Sequence, residues 1–294
     1  MKTVDNYGAT FKEIREKRKL SLTQVARGIT SPATLSRWEN GKGKMYFDNV
    51  VSLLQRLDIY LDEFINIAQY SKKDNATIRV LLEQVQKAYS EDNAVCLEEL
   101  AHKQMQRYHV TNKELDFFLA MTICSCYKDV TGENIFNDSE QARLSNIFQH
   151  VKIWNKYYIR AFGNCIALLD SDQLVEISTQ ILNGVKEIPQ DNLMQISESM
   201  RAVLNAVIIL IRRDIKLAQI LINKIESSMI PVDLLYLKMR VLFLQELISY
   251  LQDDGHSVDV MEKLTCMLRL LGYDNEANGW GQLFKNSIQK DHEQ

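Results

Sequence analysis

The sequence predicts an all-α protein: a head of five short helices, then a right-handed stack of helix pairs. Three observations carry this. Only three Pro and eleven Gly occur in 294 residues, which favours long uninterrupted helices over a loop-rich β fold. Apolar residues recur at helical spacing in segment after segment. The connectors between segments are short, such as "SEDN", "TNKE", "LDSD" and "PQDN", and they carry capping-type residues. The expected division is a head at 1–68, a linker at 69–75 and a helical body at 76–294.

In the head, Phe11, Ile14 and Leu20 mark a first amphipathic helix over 7–18. Ser21 caps a second, "LTQVARG", with Leu22, Val25 and Ala26 inward. After the turn "ITS", Ser31 caps a third helix with Pro32 at its first position, where the missing N–H costs nothing. Gly41 sits just past its end. Leu35 and Trp38 face inward on this helix, leaving Ala33, Thr34, Arg37 and, beyond the end, Lys44 outside. "MYFDNVVSLLQRLDI" forms a fourth helix with Val50, Leu53, Leu54 and Leu57 on one face. "YLDEFINIAQ" forms a fifth with Leu61, Phe64 and Ile65 on one face. Five short helices with a tight turn between the second and third read as a helix-turn-helix DNA-binding domain.

Charge agrees with that reading. The net charge is −3, yet residues 1–44 carry ten Lys or Arg and four acids, so this stretch is at +6 and the remaining 250 residues are at −9. A basic head on an acidic body points to a polyanion that meets the head alone. The third helix is small, polar and cationic on its outer face, which suits the DNA major groove. Arg37 is the candidate for a bidentate bond to guanine. Pro32, Ala33 and Thr34 are the candidates for apolar or base-edge contact. Arg15, Lys17, Ser31, Lys42 and Lys44 are the candidates for phosphate. A second use of Arg15 stays open, an ion pair with Glu39 joining the first and third helices.

The body reads as helices over 73–89, 92–107, 112–129, 138–150, 152–169, 171–187, 192–212, 214–227, 231–253, 256–271 and 274–290. Consecutive pairs of this length, recurring at roughly forty residues, read as a degenerate tetratricopeptide-like solenoid. Asn164 in "RAFGNCIALL" and Asn205 in "AVLNAVIIL" interrupt apolar helices. They either bond between helices or line a groove and hold the backbone of an extended peptide. The last segment, "EANGWGQLFKNSIQK", reads as a helix that caps the stack or packs on a second copy.

The sequence resembles a known family. "LSLTQVARGITSPATLSRWENGKGK" followed by "VVSLLQRLDIYLDEF" is similar to the Xre/Cro-type, lambda-repressor-like helix-turn-helix. It is closer to the version in Rgg/GadR/MutR-type transcription regulators, through Ile14-Arg15-Glu16-Lys17-Arg18, Leu35-Ser36-Arg37-Trp38-Glu39-Asn40-Gly41 and Leu61-Asp62-Glu63-Phe64. Leu22 stands where Xre-type domains often carry a phosphate-contacting Gln. In the body, "FGN" at 162–164, "LNAVIILI" at 204–211, the 218–226 segment and "LRLLGYDNEA" at 268–277 resemble the same family's regulatory domain. The resemblance implies a cytoplasmic homodimer that binds a promoter operator in double-stranded DNA. It also implies quorum sensing of a short hydrophobic peptide in a groove lined by the first helices of the repeats. The candidates for that groove are Tyr158, Asn164, Arg201, Asn205, Tyr236 and Arg240, with Arg201 and Arg240 available to a C-terminal carboxylate.

Other classes find little support. No phosphate loop, dinucleotide fingerprint or zinc-protease motif occurs, so neither catalysis nor a cofactor or metal is expected. Cys96, Cys124, Cys126, Cys165 and Cys266 are irregularly spaced, which fits reduced packing residues in a cytoplasmic protein. No eighteen-residue apolar run or apolar leader appears, so no membrane partner is expected. The rival readings are a helical-repeat interaction scaffold and a phage-type repressor without a peptide ligand.

Overall fold

The computed structural model describes residues 7–69, 73–226, 230–252 and 257–291. The chain divides into two compact units, Met1–Gln84 and Val85–Gln294. The expected linker at 69–75 includes residues 70–72, which lie outside the described ones.

The first unit holds α1 (Tyr7–Lys17), α2 (Leu22–Ala26), α3 (Pro32–Glu39), α4 (Phe47–Arg56) and α5 (Leu61–Gln69). Its starts and stops follow local chemistry. Ser21 and Gln24 form a reciprocal capping box at α2. Ser31 Oγ accepts from the Thr34 N–H, with Pro32 at the first position of α3. After α3 the Gly41 N–H donates to the Trp38 carbonyl and the Lys42 N–H to the Arg37 carbonyl, with Gly41 at φ +69°. That is a Schellman stop, and a glycine meets its left-handed position without strain.

The head core is Phe11, Val25, Leu35, Trp38, Leu53, Leu54, Leu57 and Phe64, with the Phe11 and Trp38 rings 5.3 Å apart. Gly8 lets α1 lie directly on the end of α3, since a Cβ there would fall 2.0 Å from the Trp38 carbonyl oxygen. One expectation for α5 is corrected. Leu61 is 37 % exposed, and Ala68, one turn beyond Phe64, is buried instead. Leu61 opens the helix, before its apolar face has reached the core.

The helix α6 (Lys73–Ser90) crosses the division between the units. The second unit continues with α7 (Ala94–Thr111), α8 (Glu114–Thr131), α9 (Asp138–Gln149) and α10 (Lys156–Cys165), which ends in a 3₁₀ turn, Ile166–Leu168. Then come α11 (Ser171–Lys186), α12 (Leu193–Arg213), α13 (Ile215–Glu226), a 3₁₀ turn at Val232–Leu234, α14 (Leu235–Gln252), α15 (Asp259–Leu270) and α16 (Asp274–Asp291). The segment expected as one helix over 152–169 starts late, because Asn155 caps at Lys156 by accepting from the Tyr157 and Tyr158 N–H groups.

Even-numbered helices pack in succession, α8 on α10, α10 on α12, α12 on α14 and α14 on α16. A second layer runs α9 to α11 to α13. This alternation is what stacked helix pairs produce. At the centre, α12 touches α10, α11, α13 and α14, so it is apolar on most sides. It is long and apolar enough to cross a membrane, yet 61 % of that window is buried within the protein. Gly163 allows α10 to approach α12 closely, since a Cβ there would lie 3.2 Å from that of Ala202. Arg213 ties the end of α12 to the 3₁₀ turn by donating to the carbonyls of Leu169 at 2.6 Å and Ala167 at 2.8 Å. At the far end Trp280 of α16 packs on Phe243 and Tyr236 of α14, so the last helix closes the stack. Four of the five cysteines are buried or half-buried, but Cys266 is exposed, which corrects its assignment to packing.

Candidate nucleic-acid interface and ligand cavity

The outer face of α3 carries Pro32, Ala33, Thr34 and Arg37, all exposed, while Leu35 and Trp38 are buried behind them. The Schellman stop returns the chain to the Arg37 end of α3, and Lys42 and Lys44 follow it, exposed. A short helix with a cationic tip and a smooth polar face has the dimensions of a major-groove reader. Ser31 is exposed, but its hydroxyl is engaged locally, 3.0 Å from the Thr34 nitrogen and 2.8 Å from Thr34 Oγ1. Lys17 is exposed and lies 2.7 Å from Glu13 across one helical turn, and that bond pulls the Glu13 carboxyl below its usual range. The sequence reading did not single out Tyr46 and Phe47, which stand 83 % and 65 % exposed at the start of α4, next to Lys44.

Arg15 is corrected as a phosphate ligand. Its Nε donates to Glu39 Oε1 at 2.7 Å, its Nη2 to Glu39 Oε2 at 2.8 Å and its Nη1 to the Leu20 carbonyl at 2.7 Å. The bond to Glu39 raises its pKa further. Arg15 and Glu39 are only 7 % and 2 % exposed. The pair joins α1 to α3 and leaves no guanidinium edge for DNA. The alternative use of Arg15 is the one the fold adopts.

In the body, α8, α10 and α12 surround a cavity of about 310 Å³. Asn164 and Asn205, the two amides singled out in the sequence, both line it. Asn164 is exposed rather than buried, so it needs no partner within the protein. Asn205 is half-buried, and its Oδ1 accepts from Arg240 Nη2 of α14 at 2.7 Å. Burial lowers the pKa of Arg240, with Tyr236 opposing and Arg201 reinforcing the shift. Arg201 and Asn205 are one turn apart on α12, as are Tyr236 and Arg240 on α14, so these four candidates form one polar cluster. Tyr236 also stacks on Trp280. Tyr158 stands apart: its hydroxyl donates to Glu114 at 3.3 Å, and it does not line the cavity.

The cavity also contains residues that the sequence reading passed over. Tyr89 from α6 donates to Asp129 Oδ2 at 2.5 Å, and Arg212 Nη1 lies 3.1 Å from Asp129 Oδ1. Burial and the bond to Asp129 push the Tyr89 pKa up, so it stays a donor. Cys126 also lines the cavity, and burial with Asp129 pushes its thiol up to about 11, so it is not a thiolate at neutral pH. Sequence position hid these groups. Arg212 ends an apolar helix, where a cation reads as a terminus, and its partner is 83 residues away. Among the described residues no group of three or more His, Cys, Asp or Glu is placed to hold a metal ion.

Known proteins resemble both the head and the body of this chain. Residues 11–64 match the family model described as "Helix-turn-helix", and residues 96–280 match "HTH-type transcriptional regulator Rgg, C-terminal domain". Among solved structures, the Streptococcus dysgalactiae SHP pheromone receptor Rgg2 superposes with a TM-score of 0.72 at 21 % identity, covering 95 % of this chain and 99 % of that one. A chain from Listeria monocytogenes EGD-e gives 0.74 at 15 % identity, covering 98 % of each. The PrgX/cCF10 complex gives 0.69 at 16 % identity, covering 95 % and 99 %. At such identities the likeness is one of fold. The regulatory-domain match spans most of the chain, and with the helix-turn-helix head before it the protein belongs to the Rgg family of transcriptional regulators.

Proposed function

We propose that this regulator is a cytoplasmic homodimer that binds promoter DNA through α3 and is governed by a short hydrophobic peptide held on its even-numbered helices. The observation that carries the peptide reading is the placement of Asn164 and Asn205, on successive helices of one layer, in a single partly apolar cavity. An amide presents a donor and an acceptor, the pair that a peptide main chain offers in return. A packed, featureless stack would instead favour a scaffold. Rgg2 is a pheromone receptor, and PrgX has been solved with cCF10 and with iCF10. A dimer follows from the size of the head, since one helix-turn-helix reads few base pairs and two half-sites supply useful affinity.

The test is isothermal titration of the full chain with synthetic peptides, chosen from short apolar reading frames beside its gene. Binding is expected, weakened by ~1–3 kcal/mol in Asn205→Ala and Asn164→Ala, as for loss of a desolvated hydrogen bond. Unchanged affinity in both variants removes both residues from the site. Failure of all such peptides to bind removes the peptide reading.

A further inference from the structure

The cavity ends on an arginine with unused capacity. Arg212 Nη1 faces Asp129 Oδ1, and the Tyr89 hydroxyl occupies the other carboxylate oxygen. Arg212 Nε, in contrast, is out of reach of solvent and has no acceptor among the described residues. A charged donor left unpaired away from water is costly, so one held in a cavity wall points to an acceptor from outside.

The surrounding charge says what kind of acceptor. Among the described lining residues Asp129 is the one acid. Near it stand Arg212, its neighbour Arg213, whose basicity is lowered by burial and then by Arg212, and Lys128, lowered by burial and then by Arg213. Burial is the larger cause of both shifts, so these cations are poorly screened. Counting Asp170, which also acts on Arg213, three cations stand against two acids, and the balance at this end is positive. The guanidinium takes a carboxylate side-on through Nε and one Nη, and here Nε is the donor still without an acceptor. Ile166, Ile208 and Ile209 supply an apolar wall for the rest of a ligand.

We propose that this cavity anchors a carboxylate of the peptide, its C-terminus or an acidic side chain, on Arg212. The proposal rests on the peptide-sensor reading and specifies its chemistry. It moves the anion site from Arg201 and Arg240 to the end of α12. Arg240 already serves Asn205, whereas Arg212 keeps an Nε without an acceptor among the described residues.

Three capped dipeptides test it on the full chain by titration calorimetry: N-acetyl-Leu-Leu as free acid, its C-terminal amide, and N-acetyl-Glu-Leu-amide. At least one acidic probe should bind about ten-fold tighter than the neutral amide, the advantage of a charge-assisted bond. Whichever acid binds identifies the C-terminus or the side chain as the source. In Arg212→Lys, which keeps a cation for Asp129 but lacks the Nε–H, the preference should fall to within about two-fold. Equal binding of acid and amide, no binding of any probe, or an unchanged preference in Arg212→Lys overturns the proposal. If longer peptides still bind in those cases, the peptide-sensor reading stands without it. If none do, both fall.

Discussion

Gly8 has no room for a side chain, because the main chain of Trp38 occupies the place a Cβ would take. The atom in the way is backbone at the buried end of α3, so it cannot swing aside. Gly8→Ala should therefore cost about 1–3 kcal/mol of stability, the usual penalty for overpacking a close-packed contact. Urea unfolding of the full chain would measure it, and an unchanged head transition would show that α1 and α3 are not in this contact. In the sequence Gly8 is an ordinary helix residue, since its constraint comes from a segment thirty residues away. Arg15 teaches the same lesson. Composition places it in a basic cluster, and only the fold shows that Glu39 holds it. Arg37, Ala33 and Thr34 were legible because their exposure follows from the burial of Leu35 and Trp38 on the same helix.

The helices themselves were largely legible because their ends are marked chemically. Asn93, Asn137, Asp170 and Asn192 each cap the helix that follows. Stops without glycine were harder to see: Lys19 and Asp58 take left-handed conformations after α1 and α4, which side chains such as these adopt only rarely. What the sequence could not give is how the helices are clamped together. Asp116, buried near the start of α8, accepts from Arg107 Nε at 2.9 Å and Thr111 Oγ1 at 2.6 Å, both on α7. Burial alone would raise its pKa, but the bonds from Thr111, Arg107 and Gln104 outweigh it and hold the carboxyl below its usual value. A carboxylate depressed in the folded state contributes stability above the unfolded value of about 3.9, and that contribution is lost as pH falls through the folded value. Asp116→Asn should thus lower the melting temperature at pH 7 and flatten its decline between pH 5 and 3. Melting curves parallel to wild type across that range would contradict the clamp.

For the whole molecule, the asymmetry of charge governs how it meets DNA. Residues 1–44 at +6 against −9 on the other 250 leave only the front of the head attracted to phosphate. Affinity for DNA should fall steeply with salt, and Lys42→Ala or Lys44→Ala should each reduce the slope of log K against log salt by about 1, uniformly across sequences. Fluorescence anisotropy between 50 and 200 mM salt would read this out, and an unaltered slope would remove that lysine from the interface. Two heads in a homodimer should favour paired half-sites about one helical turn, or a multiple of it, apart. The repeat architecture was visible in the recurrence of helix pairs. The cavity was visible only through Asn164 and Asn205, because its other polar groups come from helices far apart in the chain.

On this structure, α3 is the element that reads base sequence, in the major groove. That role is tested most directly by selecting bound fragments from randomised duplex DNA with the full chain and with Arg37→Ala. Wild type should enrich a paired motif, and Arg37→Ala should lose preference at one position in each half-site, at a cost of ~1–3 kcal/mol there. Recovery of the same motif by both proteins, or of no motif by wild type at low salt, would contradict it.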